Sequence, residues 1–263
     1  MKRFFLLLFL APTMLFAQKV VSIKIEGTIN PVTSEFIHRS IEKAKSQKAE
    51  CLIIHLNTPG GLLKSTRVIV SDILESSVPV IVFVSPGGAH AGSAGVFITL
   101  AAHIAVMAPG TNIGAAHPVD MQGGSDSVMM GKATNDAAAF IRTIAEKRKR
   151  NLQWADEAVR KSLSITENEA VEKNVIDFVS KNEEDLLAKL DGKEIEVSSG
   201  IKTLHTKNAT IETIQMEMNV NFYKCHNSLF HFDKMPFIMY WAKAQILMIP
   251  LIHELKPVAI ERE

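Results

Sequence analysis

The chain has 263 residues, long enough for one large domain or two small ones, of which 47% are apolar and 22% charged. These proportions belong to a globular protein and exclude both a disordered chain and one embedded in membrane throughout. Lys and Arg total 29 against 28 Asp and Glu, a formal charge of +1, which gives no basic surface for nucleic acid, so that partner class is set aside.

The chain opens on Met1-Lys2-Arg3 and then runs apolar from Phe4 to Phe16, broken only by Pro12 and Thr13. A basic start followed by an apolar run of about 13 residues is too short to span a bilayer and has the layout of a secretory signal. A signal peptide over 1–17, cleaved after Ala17, is the expectation, and it places the mature chain outside the cytoplasm, on the periplasmic or extracytoplasmic face of the membrane. Export permits disulfides, yet Cys51 and Cys225 sit in segments of different character and are both expected to be free.

Val20 to Ile25 alternates as a strand does, and a helix follows over about Thr33 to Lys48. Cys51 to Leu56 is a second strand, Leu62 to Leu74 a second helix, and Val78 to Val84 a third strand of nearly unbroken β-branched residues. Ser93 to Ala102 then predicts a helix and His103 to Met107 a strand. Ala108 to Gly131 is rich in Gly, Pro and Ser and reads as a long loop with Gly123-Gly124-Ser125 at its tip, a candidate flap. Apolar positions at 137, 138, 141, 144 and 145 predict an amphipathic helix over Ala133 to Arg150. Thr166 and Glu169 fit a capping box, Val175 to Val179 a strand, Asn182 a helix start, and 194–206 a hairpin or edge strand. Apolar strands alternating with helices imply an α/β fold, a mostly parallel sheet flanked by helices, over residues 18–208. The remainder, 209–263, is an atypical tail, and beyond about residue 219 it holds both tyrosines of the chain.

Three segments follow predicted strands at the edge where open α/β sheets place their ligands: Thr58-Pro59-Gly60-Gly61, Pro86 to Gly95, and Gly110 to Pro118. Paired glycines bend a backbone sharply and present bare N–H groups, so Gly60 and Gly61 are candidate oxyanion donors. Ser93, flanked by small residues at a helix start, is the candidate nucleophile, with the N–H of Ala94 as a further donor. By itself Gly92-Ser93-Ala94-Gly95 fits a plain helix N-cap nearly as well.

Taken in order, Thr-Pro-Gly-Gly, Ser-Ala-Gly, Met-Ala-Pro-Gly-Thr-Asn-Ile-Gly-Ala-Ala-His-Pro and Lys132-Ala133-Thr134-Asn135 resemble the N-terminal protease domain of NfeD-type membrane-bound serine proteases, of the ClpP/crotonase superfamily. The resemblance covers roughly residues 20–200 and implies a ClpP/crotonase-like fold. It also implies an ATP-independent endopeptidase with a Ser–Lys dyad, Ser93 and Lys132 here, acting on hydrophobic segments of stomatin-like membrane proteins. A homodimer or higher homo-oligomer is expected, and no cofactor.

A lysine amine accepts a proton only when neutral, so its surroundings must disfavour the ammonium. Lys132 immediately precedes the predicted helix at Ala133, whose N-terminal dipole acts in that sense. His117 is the rival base: ClpP-type peptidases use a Ser–His–Asp triad, and the acids available to orient this ring, Asp120 and Asp126, lie in the loop. The dyad assignment puts Lys132 ahead, with His117 as the alternative base or a cleft-lining residue. Two further readings stand beside the peptidase: a non-catalytic module that binds a stomatin-like partner through the same cleft, and a crotonase-type acyl-CoA enzyme. Cys225, His226 and His231 lack a fourth ligand at zinc-like spacing, so no metal is expected. In the tail, Met235 to Ile252 carries Lys243 and Gln245 centrally, which suits an interfacial helix better than a spanning one. A truncated remnant is the other account of that tail.

Overall fold

The computed structural model describes residues 18–119 and 127–216. The expected signal peptide, the Gly123-Gly124-Ser125 tip, Asp120, Asp126, Cys225 and the apolar stretch from Met235 all lie outside the described residues.

The first half alternates strand and helix as anticipated: β1 (Lys19–Glu26), α1 (Pro31–Ser46), β2 (Leu52–Asn57), α2 (Leu63–Glu75) and β3 (Val80–Val84). Asn30 starts α1 by accepting the Thr33 N–H at 3.0 Å, with Pro31 supplying a first helical residue whose missing N–H costs nothing there. A three-residue strand, β4 (His90–Gly92), precedes α3 (Ala94–Ala101), and β5 (Ile104–Met107) follows. Then come β6 (Asn112–Gly114), α4 (Ser127–Lys147), α5 (Leu152–Arg160), β7 (Ser164–Thr166), α6 (Glu167–Glu172), β8 (Phe178–Val179), α7 (Glu183–Leu190), the hairpin β9 (Glu194–Val197) and β10 (Gly200–Thr203), and β11 (Thr210–Ile214).

Six strands form one parallel sheet in the order β11-β1-β2-β3-β5-β8. Alternation along each strand divides its side chains between two cores. Ile23, Ile25, Ile54, Leu56, Val82 and Val84 face helices α1 to α5. Ile53, Ile81, Phe83 and Val106 face α7 and the hairpin, where Leu186, Leu190, Ile195 and Val197 cover them. A sheet buried on both faces needs apolar residues at both parities, which is why β3 reads Val-Ile-Val-Phe-Val with every position buried. Cys51 lies in the second core as a free thiol, and burial pushes it up to about 12, so it stays protonated packing.

The structure departs from the sequence reading at several points, three of which bear on the site and the domain bounds. The stretch expected as one long loop contains β6, which pairs with β4 and β7 in a separate three-stranded sheet. The helix expected from Ala133 begins at Ser127. Its first three turns bury no residue before Ala137, so they show no apolar periodicity to read. The expected start of the tail at 209 falls inside the main sheet, because β11 pairs with β1 from Lys19↔Thr210 to Ile23↔Ile214.

Candidate active site

β2 leads directly into the paired glycines. Beyond Asn57 the chain forms a parallel bridge between Thr58 and Ala91 of β4, with Thr58 N–H donating to His90 O and Gly92 N–H to Thr58 O, both at 2.9 Å. The Thr58 hydroxyl then clasps the turn, accepting from Gly60 N–H at 3.0 Å and donating to Gly60 O at 3.1 Å. Gly60 has φ +130°, and a Cβ on it would stand 2.6 Å from Ser93 Cβ and 3.1 Å from Ser93 Oγ. Only a glycine lets the serine come this close. Gly61 is equally constrained on its other side, where a Cβ would lie 2.0 Å from the Ile29 carbonyl oxygen.

Hydrogen bonding separates the two glycines. The Gly60 N–H is engaged by Thr58. Gly61 bridges to Ile29, which donates to Gly60 O and accepts from Leu62 N–H. In such a parallel bridge the N–H of the middle residue, Gly61, points away from Ile29. Ala94 is the first residue of α3, where the helix leaves its leading N–H groups without intrahelical partners.

Ser93 sits at the corner between β4 and α3 with φ 48° and ψ −107°. A capping serine has an extended backbone and a side chain that accepts from the helix; Ser93 has neither feature. Its N–H donates to Gly114 O at 3.1 Å and its carbonyl accepts from Val96 N–H at 3.0 Å, which pins the backbone and leaves the hydroxyl half-exposed. Gly114 holds its place against β7 only because it lacks a side chain: a Cβ there would meet Leu163 O at 2.2 Å. Strained strand-to-helix corners that raise a hydroxyl clear of the backbone are a recurrent nucleophile geometry.

The structure thus gathers Ser93, Ala94, Gly60 and Gly61 in one corner. Among the described residues neither candidate base is hydrogen-bonded to that cluster. His117 is half-buried and its Nδ1 donates to Val159 O of α5 at 2.9 Å, so a backbone carbonyl, not a carboxylate, orients the ring. Lys132 is exposed and makes no ion pair or hydrogen bond among the described residues. Because α4 starts at Ser127, Lys132 lies in its second turn and not just ahead of it. The helix field fades within the first turn, so Lys132 stands beyond its strongest part.

Three features escaped sequence reasoning. Thr58 builds the glycine turn; its position beside Pro59-Gly60-Gly61 was the available signal. The acceptor at Gly114 depends on β6, too short to show alternation. The third is the clamp that seats α4: Arg67 of α2 pairs with Asp136 at 2.7 Å and lies 4.1 Å from the Phe140 ring, which stacks on Phe97 of α3 at 5.5 Å. Among the described residues, no group of His, Cys, Asp and Glu is placed to hold a metal ion, and no helix is long and apolar enough to cross a membrane.

The chain is similar to the membrane-bound protease PH1510 of Pyrococcus horikoshii, 38% identical over 209 residues, which is 78% of this chain and 47% of that protein. It therefore spans about half the length of that relative. Among solved structures it resembles a serine-to-alanine mutant of the 1510-N membrane-bound stomatin-specific protease, with 36% identity, a TM-score of 0.70, and coverage of 75% of this chain and 98% of that one. A lysine-to-alanine mutant of the same protease, in complex with a substrate peptide, matches at 35% identity and TM-score 0.70, over 76% of this chain and 93% of that one. ClpP1 of Listeria monocytogenes, at 20% identity and TM-score 0.51 over 63% of this chain and 94% of its own, shares the fold, which is ClpP-like. Residues 19–214 match the family described as NfeD1b, N-terminal domain, and the chain belongs to that family.

Proposed function

We propose that this chain is a serine endopeptidase that cleaves apolar segments of stomatin-like membrane proteins without ATP, with Ser93 as nucleophile and Lys132 as base. The observation that carries the reading is the Ser93 corner: a positive φ, no capping bond, and a glycine at 60 that leaves no room for a Cβ beside the hydroxyl. The mutated serine and lysine of the similar stomatin-specific protease support the same pair of residue types.

In the first step the Ser93 hydroxyl proton passes to the neutral amine of Lys132 as Oγ bonds to the scissile carbonyl carbon. The N–H groups of Gly61 and Ala94 receive the oxyanion; Gly60 shapes the turn and leaves donation to its neighbour. Collapse breaks the C–N bond, the leaving amine takes the proton from Lys132, and water hydrolyses the acyl-serine with Lys132 again as base. An apolar substrate segment lying over this corner removes water from the reacting groups. Leu62, Val128 and Met129 are exposed apolar side chains of the kind that such a segment would cover. The chain works outside the cytoplasm at the membrane, exported by residues 1–17, and acts as a homodimer or higher oligomer; a mature N-terminus at Gln18 and a dimer mass by light scattering are the expected readings.

Cleavage of an apolar peptide by the intact chain is the test. Ser93→Ala and Lys132→Ala each lower the rate by at least about a thousandfold. Undiminished cleavage in either variant overturns the dyad. Partner capture that survives Ser93→Ala, with no cleavage and no fluorophosphonate adduct on Ser93 in the parent chain, favours the binding-module reading; its motivating observation is the exposed Lys132, which makes no ion pair or hydrogen bond among the described residues.

A further inference from the structure

On the sheet face opposite Ser93, toward α7, lies a second serine with a histidine and a carboxylate in line. Ser85 ends the run from β3 and its hydroxyl stands 2.8 Å from Nδ1 of His55, the β2 residue whose neighbours Ile54 and Leu56 point to the other core. Nε2 of His55 stands 3.2 Å from Oε1 of Glu183, the first residue of α7, and the same oxygen accepts from Ser22 of β1 at 3.2 Å. Four elements distant in sequence thus converge on one hydrogen-bonded line. The alternative acceptor for the Ser85 hydroxyl, Phe83 O, is farther away at 3.3 Å.

The line fixes the roles of its members. Nε2–H donates to the carboxylate, which leaves Nδ1 as the acceptor for the serine proton. Glu183 is held below the usual carboxylate range, chiefly by its hydrogen bond from His55, so it is ionised and orients the ring. The His55 ring is further fixed by Phe83, whose ring centre lies 5.5 Å away. All three side chains line a cavity of about 480 Å³, a size suited to a small ligand, whose wall also carries Lys24, Lys181 and Glu26.

We propose that Ser85, His55 and Glu183 form a second nucleophilic site, distinct from Ser93, that hydrolyses small carboxylic esters bearing an anionic group. The Ser85 proton passes to His55 Nδ1 as Oγ bonds to the ester carbonyl carbon. The developing oxyanion and the anionic end of the substrate meet the ammonium groups of Lys24 and Lys181. The C–O bond of the ester breaks, the leaving alkoxide takes the proton back from His55, and water releases the carboxylic acid from Ser85 with His55 once more accepting the proton. Glu183 accepts the Nε2–H bond and transfers no proton, which makes it the positioning residue.

The test uses the full chain carrying Ser93→Ala, so that the first site is silent, and reads labelling by a fluorophosphonate through mass spectrometry of the peptide containing Ser85. Ser85 is expected to carry the adduct, nitrophenyl acetate hydrolysis to persist, and the hemisuccinate ester to be hydrolysed faster than the acetate. His55→Ala lowers labelling by at least about a hundredfold, and added imidazole, which the vacated space admits, restores part of it. A merely structural histidine would show no such rescue. Should His55→Ala unfold, Glu183→Gln in a chain of native circular dichroism replaces it, with an expected loss of about tenfold or more. A natively folded parent with no adduct on Ser85, or an adduct formed at an unchanged rate in the folded variant, overturns the proposal. Labelling of Ser93 in the unmutated chain is read on a different peptide, so the two sites stand or fall separately.

Discussion

Ser93 occupies φ 48°, ψ −107°, a region that side-chain-bearing residues avoid and glycine does not. Holding a serine there costs on the order of 1–3 kcal/mol. Ser93→Ala keeps that strain and removes the hydroxyl, whereas Ser93→Gly removes both. In chemical denaturation Ser93→Gly is therefore expected to be more stable than Ser93→Ala by about 1–3 kcal/mol, with both inactive. Equal stabilities would show that the corner is relaxed. Gly60→Ala acts in the opposite sense: its methyl group would arrive 2.6 Å from Ser93 Cβ. Peptide cleavage and fluorophosphonate labelling of Ser93 are expected to fall by at least about a hundredfold, since a shift of one ångström in a reacting group costs that much. Unchanged labelling would remove Gly60 from the site. Both positions were legible in the sequence, because a serine among small residues and a glycine pair after a strand are local patterns. The surroundings of Lys132 were not, since they depend on chain far from it in sequence.

At the scale of elements, the long buried strands and amphipathic helices announced themselves through β-branched runs and a 3.6-residue period. The three-residue strands β4, β6 and β7 did not, for alternation needs more residues to show, and the Ala and Gly of β4 and the Gly of β6 carry little strand preference. α5 was missed although Trp154, Ala155, Ala158 and Val159 are buried along it; at nine residues it is short for its period to stand out. The position of α4 rests on the stack of Phe97, Phe140 and Arg67 with the Asp136 ion pair. Phe140→Ala is expected to cost about 2 kcal/mol in stability and, because α4 carries Lys132, to lower cleavage more than labelling of Ser93 by a fluorophosphonate. A uniform loss of both would place the effect on the fold in general.

For the molecule as a whole, stability follows the groups whose protonation changes on folding. His103, half-buried with its Nδ1 accepting from Val80 N–H, is pushed down to about 3 from an ordinary 6.5, chiefly by desolvation and then by the nearby Arg148. The unfolded chain then binds the proton more readily than the folded one, so the contribution of neutral His103 is complete above about 6.5 and is lost as pH falls toward 3. Asp185 and Glu212, each brought down to about 2 by hydrogen bonds led by Lys189 and Lys19 respectively, add a second loss at lower pH. The melting temperature is expected to decline on acidification from pH 6.5 to 4.5. That decline should flatten in His103→Gln, which keeps an acceptor for Val80; an unchanged slope would assign it elsewhere.

β1 is the first strand of the domain and β11 the last, and they lie side by side. During synthesis the open edge of β1 stays without its neighbour until nearly the whole domain has left the ribosome. Parallel pairing of sequence-distant strands forms slowly, and an open edge invites other chains to add to it. Lys19 and Lys43, which both pair with Glu212 in the finished sheet, also put positive charge along that waiting edge. The contacts that lock the last strand into place are the ones that discourage a stranger from taking it.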